Sequence, residues 1–315
     1  MQSKQREMNF DWRKNIVYVV FIIIFAFFSI LLFDKGFLTT TNILNIFRQT
    51  AMITIMGVGM TFVISTGQID LSVGSITALS SITTAMVLRS NLGIILASVV
   101  GLGTGLLVGL ANGLITTKFK IPPFLVTLGM MEVVRGLAMW ITHNAPIPII
   151  NQKYNNLFGL GNIGGIPIIF IWTIFIVIIG YIVFNHTPLG VYVLATGGNE
   201  EAAKYTGINT HKIKLITFLI SGILAGFAGM LYAARMQAGR FTFGDGDELS
   251  VIAAVILGGT SLNGGKGTII GTFVGSLIMG IINNGLIIAG LDVSQQMVVR
   301  GLVIVFAVAI GSKKD

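Results

Sequence analysis

The chain has 315 residues, of which 54% are hydrophobic and 10% charged, with a formal net charge of +8. Ordinary globular domains carry about 25% charged residues, and the mean hydropathy here is +0.88, so the composition excludes a soluble enzyme, a nucleic-acid-binding domain and a disulfide scaffold. The 40 glycines against 6 prolines suit closely packed membrane helices, and the basic excess reads as cytoplasmic loops rather than a surface for nucleic acid.

In chain order, the basic residues Lys4, Arg6, Arg13 and Lys14 precede an apolar run over 16–33. No small-residue cleavage site follows it, so it reads as a retained first span rather than a signal peptide. With about 20 residues per crossing as the ruler, further spans are expected over 43–65, 71–88, 93–116, 122–142, 167–184, 214–235, 249–262, 268–290 and 296–311. The fold class is therefore an all-α polytopic membrane protein of about ten segments, forming a single transmembrane domain over 1–315. Full crossing is left open for 71–88 and 249–262; the latter is short enough to be broken or re-entrant.

Alternation from a cytoplasmic N-terminus puts Lys118, Lys120, Lys204, Lys212, Lys214, Lys266, Lys313 and Lys314 inside. Lys35, Arg89, Lys153, Arg235 and Arg240 fall outside. This imbalance obeys the positive-inside rule and predicts both termini in the cytoplasm, in the inner membrane of a prokaryote.

Three short stretches recur in the same order. Asp70-Leu71-Ser72-Val73 returns as Glu248-Leu249-Ser250-Val251 with the acid exchanged, Asn112-Gly113-Leu114-Ile115 as Asn284-Gly285-Leu286-Ile287, and Val133-Val134-Arg135-Gly136-Leu137 as Val298-Val299-Arg300-Gly301-Leu302. The expected topology points the matching segments in opposite directions, the inverted-repeat symmetry of many transporters. The competing reading is convergence, since helix packing reuses Gly, Asn and Arg.

Gly101, Gly105, Gly109 and Gly113 share one face of the fourth span and predict close approach of a second backbone. Polar residues inside the membrane are candidates for the translocation pathway: Asp70, Ser72, Asn112, Asn283, Asn284 and Arg300. Asp70 also suits an N-cap on a helix beginning at Leu71, and the asparagines can bond either a polar solute or other helices. Glu132, three residues from Arg135, can neutralise it on one helix, which leaves Arg300 as the arginine in need of a distant partner.

The loop over 186–214 carries Gly198, Asn199, Glu200, Glu201, Ala202, Ala203, Lys204, Tyr205, Thr206 and Gly207. Asn199 can cap a short helix, the two glutamates suit its positive end, and Gly207 can stop it. Such an element reads either as a connector on the membrane surface or as a docking knob for a soluble partner. Gly264-Gly265-Lys266-Gly267 resembles a phosphate-binding loop, but Thr260 and Gly267 stand where that motif needs Gly and Ser or Thr. No nucleotide site is expected. Asp245, Asp247 and Glu248 lack calcium-loop spacing and suggest a solvated loop, and the histidines lack the spacing of metal ligands.

Gly67-Gln68-Ile69-Asp70-Leu71-Ser72-Val73-Gly74-Ser75, the 198–207 loop, and the run from Gly258-Gly259-Thr260-Ser261 to Asn284-Gly285-Leu286 resemble permease subunits of ribose-type monosaccharide ABC importers, over almost the whole chain. Gln68 departs from the family's usual glycine, which touches the local turn and could tune substrate choice. The resemblance implies a type II importer permease, in two like or closely related copies around one pathway. It implies an ABC ATPase subunit docked on Asn199–Gly207 as a coupling helix, an extracytoplasmic sugar-binding protein, and membrane lipid around the spans. It implies no catalytic residue, cofactor or metal in this chain: ATP and magnesium belong to the ATPase. Other small polyols or furanoses remain open as the solute. An ion-coupled transporter would need acids at mid-membrane, which are sparse.

Overall fold

The computed structural model describes residues 16–312; the basic residues expected at 4–14 and 313–314 lie outside them. The helices are α1 (Ile16–Leu31), α2 (Thr40–Ser65), α3 (Val73–Arg89), α4 (Ile94–Phe119), α5 (Pro123–Thr142), α6 (Gln152–Asn155), α7 (Ile168–His186), α8 (Pro188–Gly198), α9 (Glu200–Tyr205), α10 (Thr210–Met236), α11 (Asp247–Leu257), α12 (Ile269–Ala289) and α13 (Val293–Ser312). Among the described residues, α2, α4, α5, α7, α10 and α12 are long and apolar enough to cross a membrane, and α1, α3 and part of α13 are shorter apolar helices. This is a multi-pass helical membrane protein.

Among the described residues, four two-residue strands, a 3-10 turn over Phe33–Lys35 and a π-helical turn over Asn156–Leu160 accompany these helices. β1 (Ile147–Pro148) pairs antiparallel with β4 (Ala238–Gly239), setting Ile147 opposite Gly239, while β2 (Asn162–Ile163) and β3 (Ile166–Pro167) form a hairpin.

The centre is built on glycine. The ladder on α4 lies against α10: a Cβ at Gly105 or Gly109 would strike the carbonyls of Gly222 or Phe218. Two backbones pressed together recover in dispersion what lipid cannot supply as a hydrophobic drive. Around this pair the long helices exchange partners. α10 packs on α3 and α4, whereas α2 packs on α11 and α12, and α2 and α10 touch each other.

α11 is a half-helix. Its 11 residues rise about 16 Å, roughly half of a hydrocarbon core of about 30 Å. Segment 237–246, which carries β4, precedes α11 and lies along α3, so that Gly239 meets Ser81 and Gly244 meets Gly74. Irregular backbone at membrane depth is stable only when its polar groups are satisfied by protein or water. Here β1 supplies part of that; the Ser81 hydroxyl and Arg240 backbone exchange hydrogen bonds, and Arg135 supplies more.

Four expectations change. The stretch 249–262 is helical only to Leu257, because Gly258-Gly259 opens a loop with φ of +94° at Gly259. The helix expected from Leu71 begins at Val73. The 186–214 loop is mostly helical, holding α8 as well as α9, and α10 begins at Thr210, since the Asn209 side chain caps it on the Lys212 amide.

Candidate functional site

At one end of the bundle, α9 projects as a knob. The Asn199 side chain accepts from the Ala202 amide at 3.0 Å, as a helix cap should. Gly207, at φ +87°, ends the element and donates to the Lys204 carbonyl, while Ile208 donates to Ala203. Ala203 is buried beneath; Gly198, Glu201, Ala202, Lys204 and Tyr205 are exposed. Tyr205, at 90% exposure, is a large aromatic with no cover at the tip of a polar knob, an exposure that the sequence does not display. Beside it opens a groove of about 410 Å³ lined by Leu189, Tyr192, Gly207, Ile208, Lys212 and Ile216 among others.

Glu200 is committed inward. Lys214 Nζ donates to its Oε2 at 2.6 Å, and Thr210 Oγ1 to its Oε1 at 3.0 Å, so one side chain staples α9 to the first turn of α10. Partial burial pushes this carboxyl up, but the Lys214 bond and charge, with Thr210 and Lys204, outweigh it and hold the pKa at about 2. Glu201 instead pairs with Lys204 at 3.0 Å on the exposed surface.

Deeper in the bundle, three of the pathway candidates meet. Asp70 Oδ1 accepts from the Ser72 amide at 3.0 Å and the Ser72 hydroxyl at 2.7 Å, and Oδ2 accepts from Ser221 of α10 at 2.9 Å. Asn112 of α4 donates to Ser72 Oγ at 2.8 Å. All four residues are buried, so the knot ties α4 and α10 to the turn before α3. Asp70 caps that turn rather than the helix itself, whose N-cap residue is Ser72. Ser221 carries little sequence signal, being one hydroxyl in a glycine-rich helix. Gln68, the family departure, is buried in the same turn and donates to the Thr66 carbonyl at 3.4 Å.

The other candidates lie apart from this knot. Asn284 and Asn42 of α2 exchange amide hydrogen bonds at 2.9 and 3.0 Å. Asn283 keeps a buried Oδ1 without a partner among the described residues. Arg300 is half-buried on α13, donates to the Gln296 carbonyl at 3.4 Å, and lies within electrostatic reach of Asp247.

Arg135 is not spent on Glu132. Its Nη1 donates to the carbonyls of Phe241 and Phe243, the latter at 2.8 Å, fastening the irregular segment before α11. The acidic run is likewise only partly solvated: Asp245 is exposed, but Asp247 accepts from the Tyr232 hydroxyl at 2.7 Å and Glu248 Oε2 is buried without a partner among the described residues. Among the described residues, no group of three or more His, Cys, Asp or Glu could hold a metal ion.

The long-helix bundle is that of a multi-pass membrane protein, and the comparisons say of which class: a permease. Residues 42–308 match the family described as the permease component of branched-chain amino acid transport systems, and the chain belongs to that family. It is 42% identical to the ribose import permease protein RbsC of Bacillus subtilis strain 168, over 100% of this chain and 98% of that protein. It is 40% identical to RbsC of Escherichia coli K12 (94% and 93% covered) and 37% identical to the D-allose transport system permease protein AlsC of the same strain (98% and 95%). No solved structure matches the chain.

Proposed function

We propose that this chain is the membrane subunit of an ATP-driven importer that carries a monosaccharide, ribose before others, across a bacterial cytoplasmic membrane. The observation that carries this reading is similarity over the full length to ribose import permeases, at higher identity than to the allose permease. The family description names amino acids, but ribose, allose and arabinose permeases match along nearly the whole chain.

Two copies flank one pathway, both termini face the cytoplasm, an ABC ATPase docks on α9, and a sugar-binding protein delivers the solute from outside. A short, capped and mostly exposed helix supports the docking role. ATP and magnesium act on the ATPase; closure of its two copies around nucleotide supplies the differential contact that shifts the permease between inward-open and outward-open states. The domain over 1–315 works as one unit, with 186–214 as its coupling segment.

Ten segments, with α11 crossing only half-way, form an inverted repeat of α3–α4–α5 against α11–α12–α13. The exchange by which α10 packs on α3 and α4 while α2 packs on α11 and α12 supports it. Of the pathway candidates, Asp70, Ser72 and Asn112, bonded to one another, and Asn284, bonded to Asn42, serve to hold helices together, as their burial argues. Arg300 and Asn283 remain candidates for contact with the solute.

The test is uptake of labelled ribose by cells whose own ribose permease is deleted, supplied with this chain and its neighbouring ATPase and binding protein. Ribose should accumulate and resist competition by allose or arabinose. Accumulation of either competitor in preference would favour the second sugar reading, which the allose and arabinose permease relatives motivate. Uptake that continues without the ATPase would overturn the ATP-driven reading.

A further inference from the structure

Gly197 lies three residues before α9, and it sits where three chain segments meet backbone against backbone. A Cβ there would collide with the Ser65 carbonyl at the end of α2 and would lie 2.6 Å from the Gly265 nitrogen. From the other side, a Cβ on Gly264 would lie 2.7 Å from the Gly197 oxygen and 2.9 Å from the Gly67 nitrogen, and one on Gly265 would lie 2.7 Å from the Gly198 Cα. The Gly265 amide donates to the Ser65 carbonyl at 3.0 Å, closing the junction.

Side chains at an interface can absorb a displacement of an ångström or so by changing rotamer. Backbones in direct contact have no such slack, so a push on one is passed to the next. Gly198 is separated from α9 only by its cap, Asn199. The junction therefore connects α9 to the turn from α2 to α3, which leads to the Asp70 knot, and to the loop joining the half-helix α11 to α12.

We propose that Gly197 and Gly265 are positioning residues of the transport cycle, forming a rigid joint that carries displacement of α9 to the α2–α3 turn and the α11–α12 loop together. This rests on α9 being the element that the ATPase pushes, and it goes further by naming the route of the push.

The chain contains no cysteine, which makes the test direct. Gly197→Ala is compared with Gly103→Ala on α4, whose Cβ would meet nothing within 4 Å. Gly103→Ala should transport like the unaltered chain. Gly197→Ala should keep its membrane level and its co-purified ATPase, with uptake falling at least about tenfold while ATP hydrolysis falls much less. Normal uptake by Gly197→Ala, or an equal loss of uptake and hydrolysis, would overturn the proposal.

Should Gly197→Ala fail to reach the membrane, spin labels on Tyr205→Cys paired with Ile270→Cys, or with Leu107→Cys, report on an otherwise unaltered chain. Complexes would carry one labelled copy, with and without trapped nucleotide. The Tyr205–Ile270 distance should stay fixed while the Tyr205–Leu107 distance changes; the reverse pattern would refute a rigid joint. Absence of ATPase from purifications of the unaltered chain would instead count against the coupling reading itself.

Discussion

Gly105 of α4 and Gly222 of α10 face each other so closely that a Cβ on either would strike the carbonyl oxygen of the other. The relationship is reciprocal, and it sits in the middle of a ladder running from Gly101 beside Met230 to Gly113 beside Leu215. Two of the longest helices in the bundle thus meet where neither can accept even a methyl group.

Replacing Gly105 by leucine must push α4 and α10 apart along their whole contact, at a cost of about 3 kcal/mol or more. Gly103 is on the same helix, but a Cβ there meets nothing within 4 Å. Gly105→Leu should lower the apparent melting temperature in detergent by at least about 5 °C, and Gly103→Leu should leave it unchanged. Equal melting of the two would mean that the ladder does not hold the helices together.

The Asp70 knot predicts a graded series. Asp70→Ala strips the acceptor from Ser221 and Ser72 in a fully buried setting, and each orphaned buried donor costs about 1–3 kcal/mol. Asp70→Asn keeps one acceptor oxygen and should lose roughly half as much. Ser221→Ala should lose less still, because one of the two Asp70 oxygens keeps its Ser72 partners. Thermal melting of the three variants in that order, alanine at Asp70 worst, is the expected result. An order with Ser221→Ala worst would show that Asp70 is not the centre of the knot.

Arg135 and Arg300 occupy matching places in the repeated stretch, yet their surroundings differ. Sequence spacing points to Arg300 as the more demanding residue, because Glu132 stands three before Arg135. The structure reverses the order, since Arg135 satisfies two carbonyls of an irregular segment and Arg300 donates within its own helix. Arg135→Ala should loosen 237–246 by about 2 kcal/mol, speeding its amide hydrogen exchange by more than about tenfold. Arg135→Lys should be intermediate, and Arg300→Ala should leave that segment's exchange unaltered. Protection of 237–246 that survives Arg135→Ala would remove the clamp.

Much of the bundle was legible because hydropathy measures length in a membrane. The expected 122–142 and 268–290 agree closely with Pro123–Thr142 and Ile269–Ala289. The ruler fails where chemistry other than apolarity decides. It misses the first turn of α10, which an asparagine cap starts ahead of the apolar run, and it overextends α11 past a glycine pair. The knob was legible down to its cap, since Asn199 and Gly207 act through local backbone that the sequence displays. The clamp was not: Arg135 binds main-chain oxygens more than a hundred residues away, and carbonyls have no sequence signature. Glu200 was half legible, its place at a helix start evident but its partner Lys214 hidden behind the fold of the intervening turn.

That ion pair gives the last prediction, on pH. The Glu200 carboxyl is held at about 2, against 4.5 for an ordinary glutamate. A carboxylate depressed in the folded state contributes its full stabilisation above the unfolded value and loses it as pH falls through the folded value. Attachment of α9 to α10 should therefore be constant above about pH 5 and weaken between about pH 4.5 and 2. At neutral pH, Glu200→Gln should reproduce the acid state. Because the side chain is about a third exposed, the loss is about 1 kcal/mol rather than the full value of a buried pair, or roughly fivefold faster exchange at the amides of Ala203, Thr206 and Gly207. Glu201→Gln, which touches only the exposed Lys204, should leave those amides unchanged. If Glu200→Gln exchanged no faster than Glu201→Gln, the Glu200–Lys214 pair would not be what holds α9 to α10.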